Sequence, residues 1–322
     1  MNPRTVTPGR WRGLKTTSSA AHVFTIMAFD QRGTYVKVLP ENATYEQAIT
    51  IKREVVDALS AHTSAVLLDA TYGLPAVLSL NRASGLLMAL EKSGYSGTST
   101  YRHTDFDPDW TVEKIKKMGA SAVKLLVYYH PQAGELATEI ENLVQDVAGT
   151  CHNFDLPLFV EPISYSLDAS VSKSSAEFAA HRPEIVRETA RRFSQLGADV
   201  LKLEFPVDAD FNDDVKSWLD ACEAVSQVCE APWVLLSAGV DFPVFERQVD
   251  AACRSGASGF LAGRAIWKEC VTMPPDERQR FLQSTAVERL SRLSDIAHQH
   301  GRAWTDFYQP IEAAKDWYIT YN

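Results

Sequence analysis

Between His22 and Ala262 the chain alternates, eight times over, a short apolar run rich in β-branched residues with a longer connection, most often amphipathic. The runs are His22–Asp30, Ser64–Ala70, Gly85–Glu91, Ala122–His130, Leu156–Tyr165, Ala198–Pro206, Pro232–Leu236 and Ser258–Ala262. Continuously apolar strands are those buried on both faces, and strands that alternate with helices build parallel sheets. The helical stretches are Tyr45–His62, with Ile49, Val56 and Leu59 on one side, then Trp110–Met118, Glu135–Cys151, His181–Leu196, Asp213–Cys229 and Phe245–Arg254. Several stop at a glycine, namely Gly119, Gly197 and Gly256. Period alone leaves Gly85–Glu91 open between strand and helix. Eight such units predict one (β/α)8 barrel rather than two open sheets.

A single barrel domain is expected over residues 1–322, with the barrel from about 22 to 270 and a helical extension over about 274–322 that ends in Trp317 and Tyr318. The polar lead-in, with Pro3, Pro8, Gly9 and Gly13, carries no element signal. The tails are expected to cover the bottom of the barrel or to build an oligomer contact. Trp304, Phe307 and Trp317, taken as exposed, leave room for a homo-oligomer, a dimer or larger.

With 322 residues, 45% hydrophobic and 23% charged, the chain has ample material for a barrel core. Its formal net charge of −9 argues against a nucleic-acid partner but leaves room for local phosphate binding. The segment Met1–Lys15 is polar and basic without an apolar centre, and no apolar run is long enough to span a bilayer, so no membrane partner and a cytoplasmic location are expected. Cys151, Cys222, Cys229, Cys253 and Cys270 show no Cys-x-x-Cys spacing and read as reduced core residues, with no metal or cofactor implied.

Catalytic side chains of such barrels come from the C-terminal ends of several strands, and phosphate is often held by the loops after the seventh and eighth. Asp30 closes the first run, Lys124 lies in the fourth, Glu161 in the fifth and Lys202 in the sixth. A lysine among buried apolar residues tends to lose its proton, and a neutral lysine attacks ketones. That requires its pKa to fall by about three units, roughly 4 kcal/mol, to which desolvation and a like-charged Lys124 both contribute. Lys202 is therefore a candidate Schiff-base residue, Glu161 a proton carrier and Asp30 a carboxylate that holds or deprotonates a substrate hydroxyl. The alternatives are structural: a Lys202 head that meets Glu204 or Asp199 in water, a turn-capping Asp30, and a Lys124 that only neutralises Glu161. Ser237, Ala238 and Gly239 follow the seventh run, Gly263 and Arg264 the eighth; their glycines let backbone N–H groups approach phosphate, and Arg264 adds a bidentate contact. Asp69, Glu91, Lys92, His103, Asp105 and Glu204 read as structural.

The set Ala28-Phe29-Asp30-Gln31-Arg32-Gly33, Leu67–Gly73, Glu91-Lys92-Ser93-Gly94-Tyr95, Val123–Tyr129, Val160-Glu161-Pro162, Val200–Pro206, Leu236–Val240 and Gly259–Trp267 resembles the tagatose 1,6-bisphosphate aldolase family, Schiff-base aldolases grouped with deoxyribose-phosphate and sulfofructosephosphate aldolases. The resemblance runs from about Phe24 to Trp267. It implies a metal-independent TIM-barrel enzyme that cleaves a ketose 1,6-bisphosphate into dihydroxyacetone phosphate and glyceraldehyde 3-phosphate. By position it implies Lys202 as the Schiff-base lysine, Glu161 as acid/base, Lys124 as the assisting lysine and Asp30 as the first-strand carboxylate. It further implies that Gln31 and Arg32 contact the distal end of the substrate, and that Ser237, Gly239, Gly263 and Arg264 hold the dihydroxyacetone-phosphate group. The partner expected is thus a small sugar phosphate.

The chain departs from the family after Gly33, where Thr-Tyr-Val-Lys-Val-Leu follows, and at Ala70-Thr71, where Pro-Glu is more usual. Both departures bear on the distal group, which is open between phosphate, sulfonate and hydroxymethyl. Two other readings are kept: a sulfofructosephosphate or other ketose-1-phosphate aldolase, and a non-catalytic barrel that senses sugar phosphates.

Overall fold

The computed structural model describes residues 3–319 and 321. Eight parallel strands close into a barrel: β1 (Phe24–Ala28), β2 (Ala65–Leu68), β3 (Gly85–Ala89), β4 (Ala122–Tyr128), β5 (Leu158–Ile163), β6 (Val200–Leu203), β7 (Trp233–Leu236) and β8 (Gly259–Ala262). Each strand pairs with its chain neighbours, and β8 pairs with β1 in the register Phe260 to Thr25 and Leu261 to Ile26. This is the TIM-barrel architecture that the alternation predicts, and every strand lies inside its expected run.

Side chains alternate between the lumen and the surrounding helices. Val123, Leu125 and Val127 of β4, with Leu201 and Leu203 of β6, join the outer core against the helices. Phe24, Ile26, Ala122, Phe159, Val200 and Val234 point inward and fill the lower lumen. Two residues further along the same faces the inward residues turn polar: Lys124 after Ala122, Glu161 after Phe159, Lys202 after Val200. The apolar layers thus form a dry floor beneath a charged one.

The tails cover that floor. Arg4–Val6 pairs in parallel with Tyr308–Pro310, and Val6, Leu14, Trp304, Phe307 and Tyr308 join the lumen cluster. Trp304 is fully buried and Phe307 is 5% exposed, so neither is the exposed contact residue expected; Trp317, at 40%, does stay exposed. The lead-in holds a helix, Pro8–Thr17, that its glycines had concealed. A Cβ on Gly13 would lie 2.5 Å from the Ser121 carbonyl oxygen, so glycine is what lets this helix lie flush against the barrel.

The C-terminal extension is an interrupted run of helices only as far as His300. It is helical over Pro275–Phe281 and Val287–His300 with a π-helical segment between them, and beyond His300 gives way to 3-10 turns and the short strand Tyr308–Pro310. The helix expected from His181 begins at Ala176, where the Ser175 side chain accepts the Phe178 N–H, and Leu74–Ser79 forms a further short helix. All five cysteines are free and buried. Among the described residues no helix is long and apolar enough to cross a membrane.

Candidate active site

A cavity of about 660 Å³ opens at the C-terminal ends of the strands and is lined by Asp30, Lys124, Glu161 and Lys202, together with Gln31, Arg32, Ser237, Ala238, Gly263 and Arg264. Parallel register assembles the charged layer: Val234 of β7 stands beside Lys202, Phe159 beside Lys124, and Leu126 beside Glu161. The four residues expected to carry the chemistry therefore meet in the lumen. All are buried, Lys202 being 3% and Lys124 1% exposed.

Glu161 sits between the lysines. Its Oε2 lies 2.9 Å from Lys202 Nζ and 2.8 Å from Lys124 Nζ. Lys124 Nζ also donates to Asp30 Oδ2 at 2.8 Å and to Glu91 Oε1 at 2.9 Å. Burial alone would push the Lys124 ammonium down, but Asp30, Glu161 and Glu91 outweigh it and hold it well above the ordinary lysine value. Burial would likewise raise Asp30, yet Lys124 and Lys202, with Arg32 behind them, hold its carboxyl well below the usual range. Lys124 thus stays a cation and Asp30 an anion, while Lys202 has Glu161 as its carboxylate contact.

Lys202 does not meet Asp199 or Glu204 in water: it is buried against Glu161, and those two carboxylates are engaged elsewhere. Asp199, on the floor, accepts from Arg10, from the Leu158 N–H at 2.8 Å, and pairs with His152 at 3.1 Å. Glu204 accepts from the Ser164 N–H at 2.8 Å and from Lys173, with Arg182 3.5 Å away.

Loops after β7 and β8 lock into one another. Ala238 and Gly239 both take left-handed backbone, φ +48° and +89°. A Cβ on Gly239 would come within 2.8 Å of the Arg264 guanidinium carbon, so glycine makes room for Arg264. Ser237 Oγ accepts the Gly263 N–H at 3.2 Å, and Arg264 donates to the Ala238 carbonyl at 3.3 Å with no carboxylate partner among the described residues. That leaves a cation beside a turn of small residues, a combination suited to an anion. Gly239 shapes this corner without itself facing the cavity.

On the β1 side, Gln31 and Arg32 line the cavity, and Gln31 Oε1 and Arg32 Nε are buried without partners among the described residues. The backbone carrying them is held by Lys52, fully buried, which donates to the Phe29 carbonyl at 2.7 Å and the Gln31 carbonyl at 3.3 Å and pairs with Asp69.

Glu91 is one of the site residues that the sequence reading left out; Lys173, Arg182, Glu204 and Asp208 also line the cavity. Glu91 lies past the end of β3 and is 3% exposed, between Lys124 and Arg32, whose Nη2 is 3.0 Å from Glu91 Oε1. The signal available was its place at the end of a strand run, shared with Asp30. Among the described residues no group of three or more His, Cys, Asp or Glu is arranged to hold a metal ion.

Similarity to known proteins follows the same lines. The chain is 31% identical over 332 aligned residues to a tagatose 1,6-diphosphate aldolase of Listeria monocytogenes serotype 4b, covering 95% of this chain and 97% of that one. It is 32% identical to the tagatose 1,6-diphosphate aldolase of Lactococcus lactis subsp. lactis, over 94% and 99% of the two chains. In fold it is similar to an archaeal fructose 1,6-bisphosphate aldolase, at a TM-score of 0.57 and 18% identity over 89% of this chain and 98% of that one. The fructose-bisphosphate aldolase of Plasmodium falciparum gives a TM-score of 0.67 at 14% identity, over 96% and 98%. Residues 24–269 match the model of the DeoC/LacD family aldolases, and the chain belongs to that family.

Proposed function

We propose that this aldolase cleaves a ketose 1,6-bisphosphate, tagatose 1,6-bisphosphate first among them, through an imine on Lys202, and that it uses no metal. The observation that carries the reading is Glu161 Oε2 at 2.9 Å from Lys202 Nζ inside the sugar-sized cavity. Lys202, relieved of a proton by Glu161, adds to the C2 carbonyl. Glu161 returns the proton as the carbinolamine loses water, and the iminium becomes the electron sink for breaking the C3–C4 bond. Glu161 takes the C4 hydroxyl proton as glyceraldehyde 3-phosphate departs, and returns it to the enamine at C3. Hydrolysis then frees dihydroxyacetone phosphate and Lys202. Asp30, held by Lys124, accepts a hydrogen bond from a substrate hydroxyl, while Glu161 moves protons.

Ser237, Ala238, Gly263 and Arg264 would receive the C1 phosphate, and Gln31 with Arg32 the distal one. The relatives named for tagatose 1,6-diphosphate support the choice of substrate. A sensor would need only the phosphate loops; a buried lysine paired with a buried glutamate favours the enzyme. The test is cleavage of tagatose 1,6-bisphosphate, followed by triose-phosphate release, in the wild type and Lys202→Ala. Release abolished in a folded Lys202→Ala supports the reading, and release retained overturns it. Sulfofructose 1-phosphate as the better wild-type substrate would replace the distal phosphate by a sulfonate.

A further inference from the structure

Glu91 is a buried carboxylate that the reaction does not consume. Oε1 accepts from two cations at once, Lys124 Nζ at 2.9 Å and Arg32 Nη2 at 3.0 Å, while Oε2 accepts the Leu126 N–H at 3.0 Å. Arg32 also donates to the Glu91 carbonyl, and Glu91 is bridged to Phe106, so its backbone is fixed on both sides. One side chain therefore ties the cation at the β1 rim to the ammonium that holds Asp30 and Glu161. Arg32 keeps one buried donor, Nε, without a partner among the described residues.

We infer that Glu91 is a positioning residue through which an anion arriving at Arg32 readies the Lys202–Glu161 pair for proton transfer. This rests on the imine reading of the site. An anion on the Arg32 guanidinium takes up part of its charge and loosens its hold on Glu91 Oε1. Glu91 then bears more fully on Lys124, and Lys124 bears less on Glu161, because each contact in a buried network weakens when its partner is engaged elsewhere. With Lys124 drawn away, Glu161 accepts the Lys202 proton more readily. Binding energy from the distal end of the substrate is thereby spent on the chemical step, so a substrate without that anion loses kcat and not KM alone.

The test compares kcat for a ketohexose 1,6-bisphosphate with kcat for the matching ketohexose 1-phosphate, in the wild type and in Glu91→Gln. In the wild type the bisphosphate should turn over about tenfold faster or more. In Glu91→Gln, where the carboxylate charge that couples the two cations is gone, that advantage should collapse to within about threefold. A ratio unchanged by the substitution, with both rates lowered equally, assigns Glu91 a purely structural part and overturns the inference, as does a wild-type ratio near one. Should Glu91→Gln not fold, Glu91→Asp tests the same coupling by withdrawing the carboxylate from the one oxygen position that both cations share. Borohydride trapping of dihydroxyacetone phosphate on wild-type Lys202 separates the two failures: no adduct sinks the imine reading, and an adduct with an unchanged ratio sinks only the role of Glu91.

Discussion

Glu161 Oε2 lies 2.9 Å from the Nζ of Lys202, and the same oxygen is 2.8 Å from Lys124. The two lysines differ in how many carboxylates they face. Lys124 touches Asp30, Glu91 and Glu161, and Lys202 touches Glu161. On the proposed mechanism that asymmetry divides the labour, with Lys124 held as a cation and Lys202 acting as the nucleophile. Glu161→Gln removes the proposed proton carrier while keeping the shape, so kcat should fall about 10²- to 10⁴-fold with the fold intact. Steady-state kinetics beside a melting curve reads both, and a kcat within a few-fold of wild type would take Glu161 out of the proton path.

Lys124→Met leaves three buried carboxylates without their common cation. Loss of one partner from a buried ion pair costs about 3–5 kcal/mol, to be read from urea denaturation at neutral pH. The sign of its pH dependence follows from the shifts. Asp30 sits below its ordinary value, so its contribution to wild-type stability is present above about pH 4 and fades as the pH falls further. Lys124 sits above its own, so its contribution holds up to about pH 10 and is lost as the pH climbs through the raised value. The deficit of Lys124→Met should therefore shrink below pH 4, and one that is constant from pH 7 to 3 would mean the cluster is not electrostatically linked.

Arg264 packs over Gly239 and has no carboxylate partner among the described residues. A charge-assisted contact to phosphate contributes about 1.5–3 kcal/mol, so Arg264→Ala should raise KM for the sugar phosphate about 10- to 100-fold. Inorganic phosphate should likewise compete more weakly with substrate in the variant. Unchanged KM and unchanged phosphate competition would place the C1 phosphate elsewhere.

On the barrel floor, Asp199 is held below the usual carboxylate range: burial would raise it, but His152 and Arg10 outweigh that. Asp199→Asn should lower stability at pH 7 by about 3 kcal/mol without touching kcat. Because the folded pKa is depressed, wild type and variant should converge as the pH falls below about 4. A gap independent of pH would show that geometry, not charge, holds this joint.

How much of this was legible depended on whether the signal was local. The alternation of apolar runs with helical ones announced the barrel, and the places of Lys124, Glu161 and Lys202 in its fourth, fifth and sixth strand runs marked them as candidates for its C-terminal end. Glu91 escaped because it lies beyond β3, in a run whose period fits strand or helix, and because its value comes from the register that sets Ala89 beside Lys124. Glu204, read as structural, lines the cavity and is held by Lys173 and Arg182, which arrive from a distant loop and helix. The Pro8–Thr17 helix was hidden by Gly9 and Gly13, residues that ordinarily disfavour helices and here permit close packing. Trp304 and Phe307 looked exposed because they lie in a polar tail, and only closure of the barrel floor shows what they cover.

The most direct measurement is intact mass and peptide mapping after borohydride reduction of the enzyme with dihydroxyacetone phosphate. The account predicts a single reduced adduct, mapped to Lys202 and absent from Lys202→Ala. Wild-type enzyme that cleaves a ketose bisphosphate yet forms no adduct on Lys202 would contradict it.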